Sequence, residues 1–415
     1  MMDFFRRLLG QRVLNYYHLA TAIAANIVYG FPSRKLRVIG VTGTDGKTTT
    51  VNMIASILEN AGEKVAFLST INAKLGNKFL DTGPHTTTPS PFFLQKFLSQ
   101  SVRAGLRFAV LEVTSHSLDQ FRTWGIRFET AVLTNISHEH LDYHKDLASY
   151  MAAKARLFGN VEYRILNMED SSFDFFSTHG KGELLTYGLN SKAVVWANNP
   201  SEELTETEFT AHTPRGEYKI KLHLPGKFNV YNALAAIVVG QVYKIPADKI
   251  KQGLSEIKGI AGRLEMVGER VMVDFAHTPN ALEKLLEFLR PKVSGKIILI
   301  FGSAGERDKT KRPLMGAVAD KYADLIILTR EDNRGERVEE ICEQIAAGIN
   351  EKQKDKDYFI ILDRREAIGA ALKQAQGAND FVIISGKGHE QSLNIDGKET
   401  PWDDRRVVRE ILNKV

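Results

Sequence analysis

A β-branched run, Arg37-Val38-Ile39-Gly40-Val41-Thr42, leads directly into Gly43-Thr44-Asp45-Gly46-Lys47-Thr48-Thr49, and helical spacing takes over from Thr49 to Asn60. Strand, glycine loop and helix in that order leave few folds open. Backbone N–H groups of such a loop turn inward, and the helix N-terminus adds its dipole, so the segment cradles phosphate. Lys47 supplies a mobile cation for the β- and γ-phosphates, and the Thr48 hydroxyl can ligate Mg²⁺. The common spacing, G-x-x-x-x-G-K-[ST], is matched only in its second half, because its first glycine falls on Val41. A glycine-rich turn without a ligand is the plain alternative. The coincidence of strand, Gly-Lys-Thr and helix favours an ATP site.

Further apolar runs of strand length lie at 65–70, 108–113 and 130–135. Runs apolar on both faces, each followed by a helix, predict a parallel sheet covered on both sides. Between 183 and 225 the texture changes to short alternating segments such as Tyr218-Lys219-Ile220-Lys221-Leu222-His223-Leu224. That alternation predicts an antiparallel hairpin region appended to the sheet. A second strand–helix alternation starts near 264, with strands at 270–274, 296–301, 324–329, 358–362 and 380–385. It predicts a second doubly wound unit. The expected organisation is an α/β protein with an N-terminal helical segment (1–36), a central ATP-binding domain with a mostly parallel sheet (37–261) and a C-terminal Rossmann-like domain (262–415), hinged at Gly259-Ile260-Ala261-Gly262.

Composition agrees with this and excludes several classes. The 415 residues suffice for two or three domains at about 100–200 residues each. Hydrophobic residues make up 43% and charged residues 25%, as in ordinary globular chains. The net charge of +5 comes without a long basic run, which argues against nucleic acid as partner and leaves acidic substrates or a membrane surface. A single cysteine, Cys342, rules out an intramolecular disulfide and a cysteine-based metal centre. Its neighbours read as a helix, so it is expected to be a filler residue, and disulfide-free chemistry fits the cytoplasm.

The N-terminal segment is apolar from Phe4 to Gly30, but its longest run, Leu19 to Val28, is shorter than the ~20 residues a membrane span needs. A helix packed on the domain is the leading expectation. A helix on a membrane surface and a cleaved signal after Arg6-Arg7 are the alternatives.

Glu112 ends the 108–113 run, and ligands bind at the C-terminal ends of such strands. Thr134-Asn135-Ile136-Ser137-His138-Glu139-His140-Leu141-Asp142-Tyr143-His144 concentrates histidines and acids after another strand. A hard cation beside a nucleotide prefers oxygens, so these histidines are either metal ligands or solvated and core-capping side chains. Spacing alone makes Lys154 a helix-surface lysine.

Taken together, these segments resemble the Mur ligase family, most closely its MurE type, which adds the third residue of the peptidoglycan stem peptide. The resemblance rests also on His85-Thr86-Thr87-Thr88-Pro89, Gln120 to Arg122, Gly226-Lys227-Phe228-Asn229-Val230-Tyr231-Asn232, Gly262-Arg263-Leu264-Glu265 and Asp274-Phe275-Ala276-His277-Thr278-Pro279. Arg307-Asp308-Lys309-Thr310-Lys311-Arg312 and Gly386-Lys387-Gly388-His389-Glu390 complete it. The shorter phosphate loop fits as well, since the family uses G-T-x-G-K-[ST]. The resemblance implies ATP- and Mg²⁺-dependent amide formation through an acyl phosphate, with a muramoyl-dipeptide and a free amino acid as substrates and a single chain as the working unit.

Residue by residue, the resemblance implies that Gly43, Thr44, Gly46, Lys47, Thr48 and Thr49 hold the phosphates. Asn229 and Asn232 would lie on the adenine side, and Arg263, Asp274 and His277 would reach the nucleotide from the C-terminal domain. Thr48, Glu112, His140 and a carbamylated Lys154 would serve the metal, and Lys47, Glu112, His140 and Lys154 are the catalytic candidates. Thr87, Thr88, Thr114, Ser115 and Arg122 would line the acceptor site. Arg307, Asp332, Asn333, Arg334, Gly386 and Glu390 would meet the incoming amino acid, where arginine and glutamate suit a zwitterion.

Four departures from the family pattern stand out. D-H-L-D reads Glu139-His140-Leu141-Asp142, and V-S-S-H reads Val113-Thr114-Ser115-His116. The stretch that reads D-N-P-R in diaminopimelate-adding members is Thr329-Arg330-Glu331-Asp332-Asn333-Arg334-Gly335-Glu336, without a proline. Only 36 residues precede the ATPase segment, where the family carries a domain for the UDP part. The acceptor is therefore expected to carry UDP, a lipid or neither. A folylpolyglutamate-synthase-like ligase and a nucleotide-binding partner subunit are the competing functions; the histidine–threonine and Gly-Lys-Gly-His-Glu segments favour the muramoyl-peptide ligase.

Overall fold

The computed structural model describes residues 2–80, 88–137, 139 and 141–413. The chain opens with a 28-residue helix, α1 (Met2–Tyr29), which packs on α3 (Pro91–Arg103). Ala22, Ala25 and Asn26 of α1 are buried, and Asn26 Nδ2 donates to the Trp124 carbonyl at 2.8 Å.

Among the described residues the central sheet has eleven strands. In chain order they are β1 (Arg37–Thr42), β2 (Val65–Leu68), β3 (Ala73–Leu75), β4 (Lys78–Leu80), β5 (Phe108–Glu112), β6 (Thr130–Leu133), β7 (Tyr163–Asn167), β8 (Glu183–Gly188), β9 (Val195–Glu202), β10 (Thr207–Thr213) and β11 (Gly216–Leu222). In space the order is β11-β10-β9-β8-β7-β6-β1-β5-β2-β3-β4. The core strands β2, β5, β1, β6 and β7 run parallel and are apolar on both faces, because helices cover both sides. On one side lie α2 (Lys47–Asn60), α8 (Lys227–Val242) and α9 (Ala247–Ser255). The other side carries α3 and the shorter α4 (Ser115–Asp119), α5 (Leu141–His144), α6 (Leu147–Ala155) and α7 (Phe173–Thr178). Helix α8 is buried almost all round, from Asn229 to Gly240, which explains why its sequence shows no amphipathic period.

The region expected to be antiparallel throughout is so only in part. Strands β8 and β9 continue the parallel order, and only β9–β10–β11 alternate direction. The physical reason is cover: β8 still lies under α8, whereas β11 exposes every second residue to solvent.

The second sheet contains β12 (Glu265–Met266), β13 (Val271–Asp274), β14 (Ile297–Phe301), β15 (Leu325–Leu328), β16 (Tyr358–Ile360) and β17 (Phe381–Ser385), ordered β12-β13-β17-β14-β15-β16. Helices α10 (Pro279–Leu289), α11 (Lys311–Tyr322) and α12 (Val338–Ala346) pack on one face, and α13 (Arg364–Gln374) with α14 (Asp404–Leu412) on the other. A hairpin of β18 (Ser392–Ile395) and β19 (Lys398–Pro401) stands beside the sheet. Cys342 is enclosed in α12, where burial pushes its thiol up to about 12, so it is inert packing.

Candidate active site

Both parallel sheets direct the C-terminal ends of their strands toward the same cleft, as the switch-point rule requires. The end of β1 becomes the phosphate loop. Gly43 (φ 148°) lies so close to β6 that a Cβ there would sit 1.8 Å from Thr134 Oγ1. Gly46 (φ 80°) caps α2, and its Cβ would fall 2.3 Å from Asn232 Oδ1. Only glycine satisfies both the left-handed backbone and the close approach at Gly46.

The loop is fastened to the residues that follow β6. Thr44 N donates to the Asn135 carbonyl at 2.8 Å, Asp45 N to Asn135 Oδ1 at 3.0 Å, and Thr134 Oγ1 to the Asp45 carbonyl at 2.6 Å. Thr44 Oγ1 lies 3.0 Å from Tyr150 Oη. Lys47 Nζ folds back onto the Thr44 carbonyl at 2.6 Å, and Thr49 lines the larger of two adjoining cavities.

Glu112, at the end of β5, is buried and accepts from Thr48 Oγ1, Thr70 N and Thr70 Oγ1, each at 2.9 Å. A buried carboxylate beside a hydroxyl at the mouth of a phosphate loop is an oxygen-donor set that fits a hard cation such as Mg²⁺. Thr70 was absent from the sequence expectations, although its place just past β2 marks it by the same strand-end rule. His140, expected at the metal, and Thr87, expected at the acceptor, lie outside the described residues.

Lys154 is fully buried and donates from Nζ to the Gly43 carbonyl at 2.6 Å. The lysine expected on a helix surface from spacing alone thus points inward from α6 to the phosphate loop. Burial, reinforced by the charge of Lys47, holds its amine well below the ordinary lysine range.

Among the residues expected at the acceptor, Thr88 Oγ1 lies 3.2 Å from Thr114 Oγ1, and Arg122 Nη1 donates to the Thr88 carbonyl at 2.9 Å. Ser115 is buried beside them at the start of α4, and its hydroxyl has no hydrogen-bond partner among the described residues.

The larger cavity measures about 600 Å³ and extends from Gly46 past Asn229, Asn232 and Tyr231 to Arg263, Asp274, Phe275 and His277. Asn232 Nδ2 donates to Asn229 Oδ1 at 3.0 Å, so the two asparagines form a single polar unit. Asp274 accepts from Leu264 N and Ala276 N, both at 2.7 Å, and its burial raises its pKa. The Arg263 guanidinium lies over the Phe275 ring at 4.4 Å. Leu204 and Phe228 of the central unit pack on the C-terminal core, and side-chain contacts join the units as well: His277 Nε2 to Glu139 Oε1 at 3.2 Å, and Asn280 Nδ2 to Asp45 Oδ2 at 3.0 Å.

The smaller cavity, about 230 Å³, joins Lys47, Thr48, Thr70 and Glu112 to Arg307, Lys311, Glu331, Asp332, Arg334, Gly386 and Glu390. Arg307 stands exposed at its rim. Lys387 is enclosed behind Gly386 and pairs with Asp332 at 2.7 Å and with Glu390. Those two carboxylates, expected to face an incoming zwitterion, are therefore engaged by a protein cation. Arg334 adopts a left-handed backbone (φ 51°) and gives Nη1 to the Gly305 carbonyl at 2.8 Å. Asn333, expected at the amino acid, gives its Nδ2 to Asp396 Oδ1 and the Glu336 carbonyl, tying the loop to the β18–β19 hairpin. Without a proline to set this loop, Asn333 fixes it by side-chain hydrogen bonds.

Glu331, missed from sequence, is a further carboxylate that faces the cleft. It is buried, its Oε2 has no hydrogen-bond partner among the described residues, and that oxygen would meet a Cβ at Gly386 at 2.6 Å. Behind it, the buried Arg364–Asp404 pair (2.7 and 2.8 Å) donates to the Arg330 carbonyl at 3.1 Å and the Ser385 carbonyl at 3.0 Å. Arg364 thereby holds together the two strand-end loops that carry Glu331 and Gly386. Its position after β16 gave no signal in one sequence.

A phosphate cradle on one parallel sheet, closed by an arginine- and carboxylate-bearing edge of a second, is the architecture of an ATP-dependent ligase. Residues 41–240 match the Mur ligase middle domain, and residues 262–388 match the Mur ligase, glutamate ligase domain. The UDP-N-acetylmuramoyl-L-alanyl-D-glutamate–2,6-diaminopimelate ligase of Caldanaerobacter subterraneus subsp. tengcongensis is 40% identical over 95% of this chain and 81% of its own length. The enzyme of that name from Aquifex aeolicus is also 40% identical, over 94% of this chain and 80% of its own. A solved structure of a ligase of that name shares 33% identity, covering 91% of this chain and 78% of the other, at a TM-score of 0.62. Mycobacterium tuberculosis folylpolyglutamate synthase with ADP has a TM-score of 0.74 at 17% identity, covering 89% of this chain and 91% of its own, which is a likeness of fold alone. The chain belongs to the Mur ligase family.

Proposed function

We propose that this ligase joins the amino group of a diamino acid to the free carboxylate of a muramoyl-L-alanyl-D-glutamate acceptor. The observation that carries the reading is the shared cleft, in which the phosphate loop and Glu112 face Arg307, Glu331 and Arg334 across about 230 Å³.

The acceptor carboxylate attacks the γ-phosphorus of ATP, the bond to the departing ADP breaks, and an acyl phosphate results. The amine then attacks the acyl carbon and inorganic phosphate leaves. Two protons leave the nitrogen, one before attack and one as the amide forms. Most of the catalysis is positioning and charge neutralisation. Lys47 and the N-terminus of α2 hold the phosphates, with Asn229, Asn232, Arg263, Asp274 and His277 around the rest of the nucleotide. Thr48, Glu112, His140 and Lys154 would hold Mg²⁺, which supplies further positive charge to the phosphoryl oxygens. Lys154 suits this only as a carbamate, because an ammonium would repel the metal. A neutral buried amine is the form that adds CO₂, releasing one proton and becoming an anion.

Thr87, Thr88, Thr114, Ser115 and Arg122 would hold the acceptor. Arg307 and Arg334 would take carboxylates of the amino acid, Glu331 its ammonium, and Asp332, Gly386 and Glu390 the surrounding wall. All these residues lie on one chain, so the working unit is proposed to be a monomer, acting in the cytoplasm where ATP and reduced thiols prevail.

Phosphate release from ATP with UDP-N-acetylmuramoyl-L-Ala-D-Glu tests the proposal, with meso-diaminopimelate, L-lysine and L-ornithine supplied separately. Release with one amine supports it. Silence with all three, in protein that still binds ATP, overturns it and directs the search to UDP-free or lipid-linked acceptors.

A further inference from the structure

Helix α1 turns a bare face outward. Tyr16, Tyr17, Ala20, Ala24, Ile27 and Val28 are exposed, and at 3.6 residues per turn they share an arc of about 120°. Tyr16 is 73% exposed, Ile27 65% and Val28 67%. From Tyr16 to Val28 no residue on this arc is charged, whereas the solvent face of a helix in a globular protein ordinarily carries charge. Phe92 and Trp124, each about two-fifths exposed, lie along the inner side of the helix: the Phe92 ring is 6.5 Å from that of Tyr29, and the Trp124 carbonyl accepts from Asn26. An exposed helix face without charge over three turns marks a contact site.

Charge selects the partner. Residues 1–36 contain Arg6, Arg7, Arg12, Arg34 and Lys35 against Asp3 alone, so they hold four of the chain's five net positive charges. Residues 13 to 33 contain no Asp, Glu, Lys or Arg, and exposed Arg34 and Lys35 follow directly. An apolar stretch flanked by basic residues on both sides complements an anionic lipid surface, where acyl chains take the apolar face and phosphates the cations. A second copy of the chain would set one basic segment against another, which is repulsive. Among the described residues no helix is long and apolar enough to cross a membrane, so α1 lies on a bilayer rather than through it.

We infer that α1 docks this ligase on an anionic membrane surface, with Tyr16, Ile27 and Val28 in the headgroup–acyl boundary. The docking stands independently of which acceptor the site takes. It bears on the acceptor nonetheless, because the inner side of α1 touches the acceptor wall: Asn15 Nδ2 donates to Asp119 Oδ2 at 3.3 Å, three residues before Arg122. A docked enzyme holds that wall within about one helix diameter, ~10–12 Å, of the bilayer.

Sedimentation of the full chain with phosphatidylglycerol vesicles, and with phosphatidylcholine vesicles as control, tests this. The expected result is binding to the anionic vesicles alone, weakened by added salt. The double variant Ile27→Glu/Val28→Glu should lose about tenfold or more in apparent affinity, and Arg34→Glu/Lys35→Glu a similar factor, with unchanged thermal midpoints. Failure of the parent to bind anionic vesicles overturns the inference, as does binding unaffected by either variant. A concentration-dependent dimer that Ile27→Glu/Val28→Glu dissolves would assign the face to a second copy instead.

Discussion

The side-chain nitrogen of Lys154 donates to the carbonyl oxygen of Gly43 at 2.6 Å, joining α6 to the first residue of a phosphate loop 111 positions earlier. The amine is enclosed, and burial is the largest cause of its lowered pKa. A buried lysine that donates to a carbonyl and a hydroxyl, as Lys154 does to Gly43 and Thr42, is costly to keep charged. Its charged form is accordingly disfavoured where it meets the Gly43 carbonyl.

Replacement of Lys154 by alanine should lower turnover about 100-fold or more, the scale of losing one charge-stabilising group at a phosphoryl centre. ATP affinity should change little, and acetate or propionate should restore part of the rate by placing a carboxylate where the carbamate stood. A carbamate carbon signal in ¹³C NMR after equilibration with labelled bicarbonate should appear in the parent and be absent from the variant. Undiminished turnover in Lys154→Ala would remove the carbamate from the mechanism.

The same burial makes a stability prediction of opposite sign. An unmodified lysine whose folded pKa lies below its unfolded value binds fewer protons when folded, so stability rises with pH through the window between the two, by at most about 1.4 kcal/mol per pH unit. Below the folded pKa the penalty is complete, and above the unfolded pKa it vanishes. Lys154→Met abolishes this term. In bicarbonate-free buffer the variant should melt no lower than the parent at pH 7, and the pH slope of its midpoint between 7 and 9.5 should be flatter.

Much of this site was readable because strand-end residues follow from alternation: Glu112, Asp274 and Gly386 sit where a run of apolar residues stops, and Thr48 opens the helix after the loop that follows β1. What was unreadable depends on packing between distant segments. Lys154 looks like a surface lysine on its own helix, and only the tertiary contact with Gly43 turns it inward. Asn333 and Glu331 are neighbours with opposite fates, one tied to Asp396 and one facing the cleft, and no period in the sequence separates them. The β8 strand was misread as antiparallel because α8, which covers it, comes some 40 residues later in the chain.

Asn280 and Asp45 span the two units at 3.0 Å, beside the His277–Glu139 contact. Removing this hydrogen bond to a carboxylate should favour an opened arrangement by about 1.5–3 kcal/mol. Asn280→Ala is expected to enlarge the radius of gyration measured by small-angle X-ray scattering in the absence of nucleotide. Saturating ATP analogue should return it to the parent's value. An unchanged radius together with a lowered melting temperature would make the contact a packing feature.

Arg334 spends one guanidinium nitrogen on the Gly305 carbonyl and lines the small cavity with the rest of the group. Arg334→Ala should raise KM for the incoming amino acid about 10- to 100-fold, the range for losing charge-assisted hydrogen bonds to a carboxylate. KM for ATP should stay within about twofold, because the Arg334 guanidinium is held on the Gly305 carbonyl of the C-terminal unit. Equal loss of both would indicate a misfolded loop.

Glu331 gives the sharpest test of how the amine is received. Burial raises its pKa, with Lys311 opposing the shift, so its anion appears at higher pH than that of an ordinary glutamate. An ammonium partner requires that anion, and KM for the amino acid should therefore fall as pH rises through the raised pKa. Glu331→Gln keeps the shape and removes the charge: KM for the amino acid should rise about 10- to 100-fold at neutral pH and lose its pH dependence, while KM for ATP holds. Because a carboxyl with a raised folded pKa lowers stability above that pKa, the variant should also melt no lower than the parent. A lowered melting point with a parental pH profile would assign Glu331 to the framework of the loop and leave the ammonium to another group.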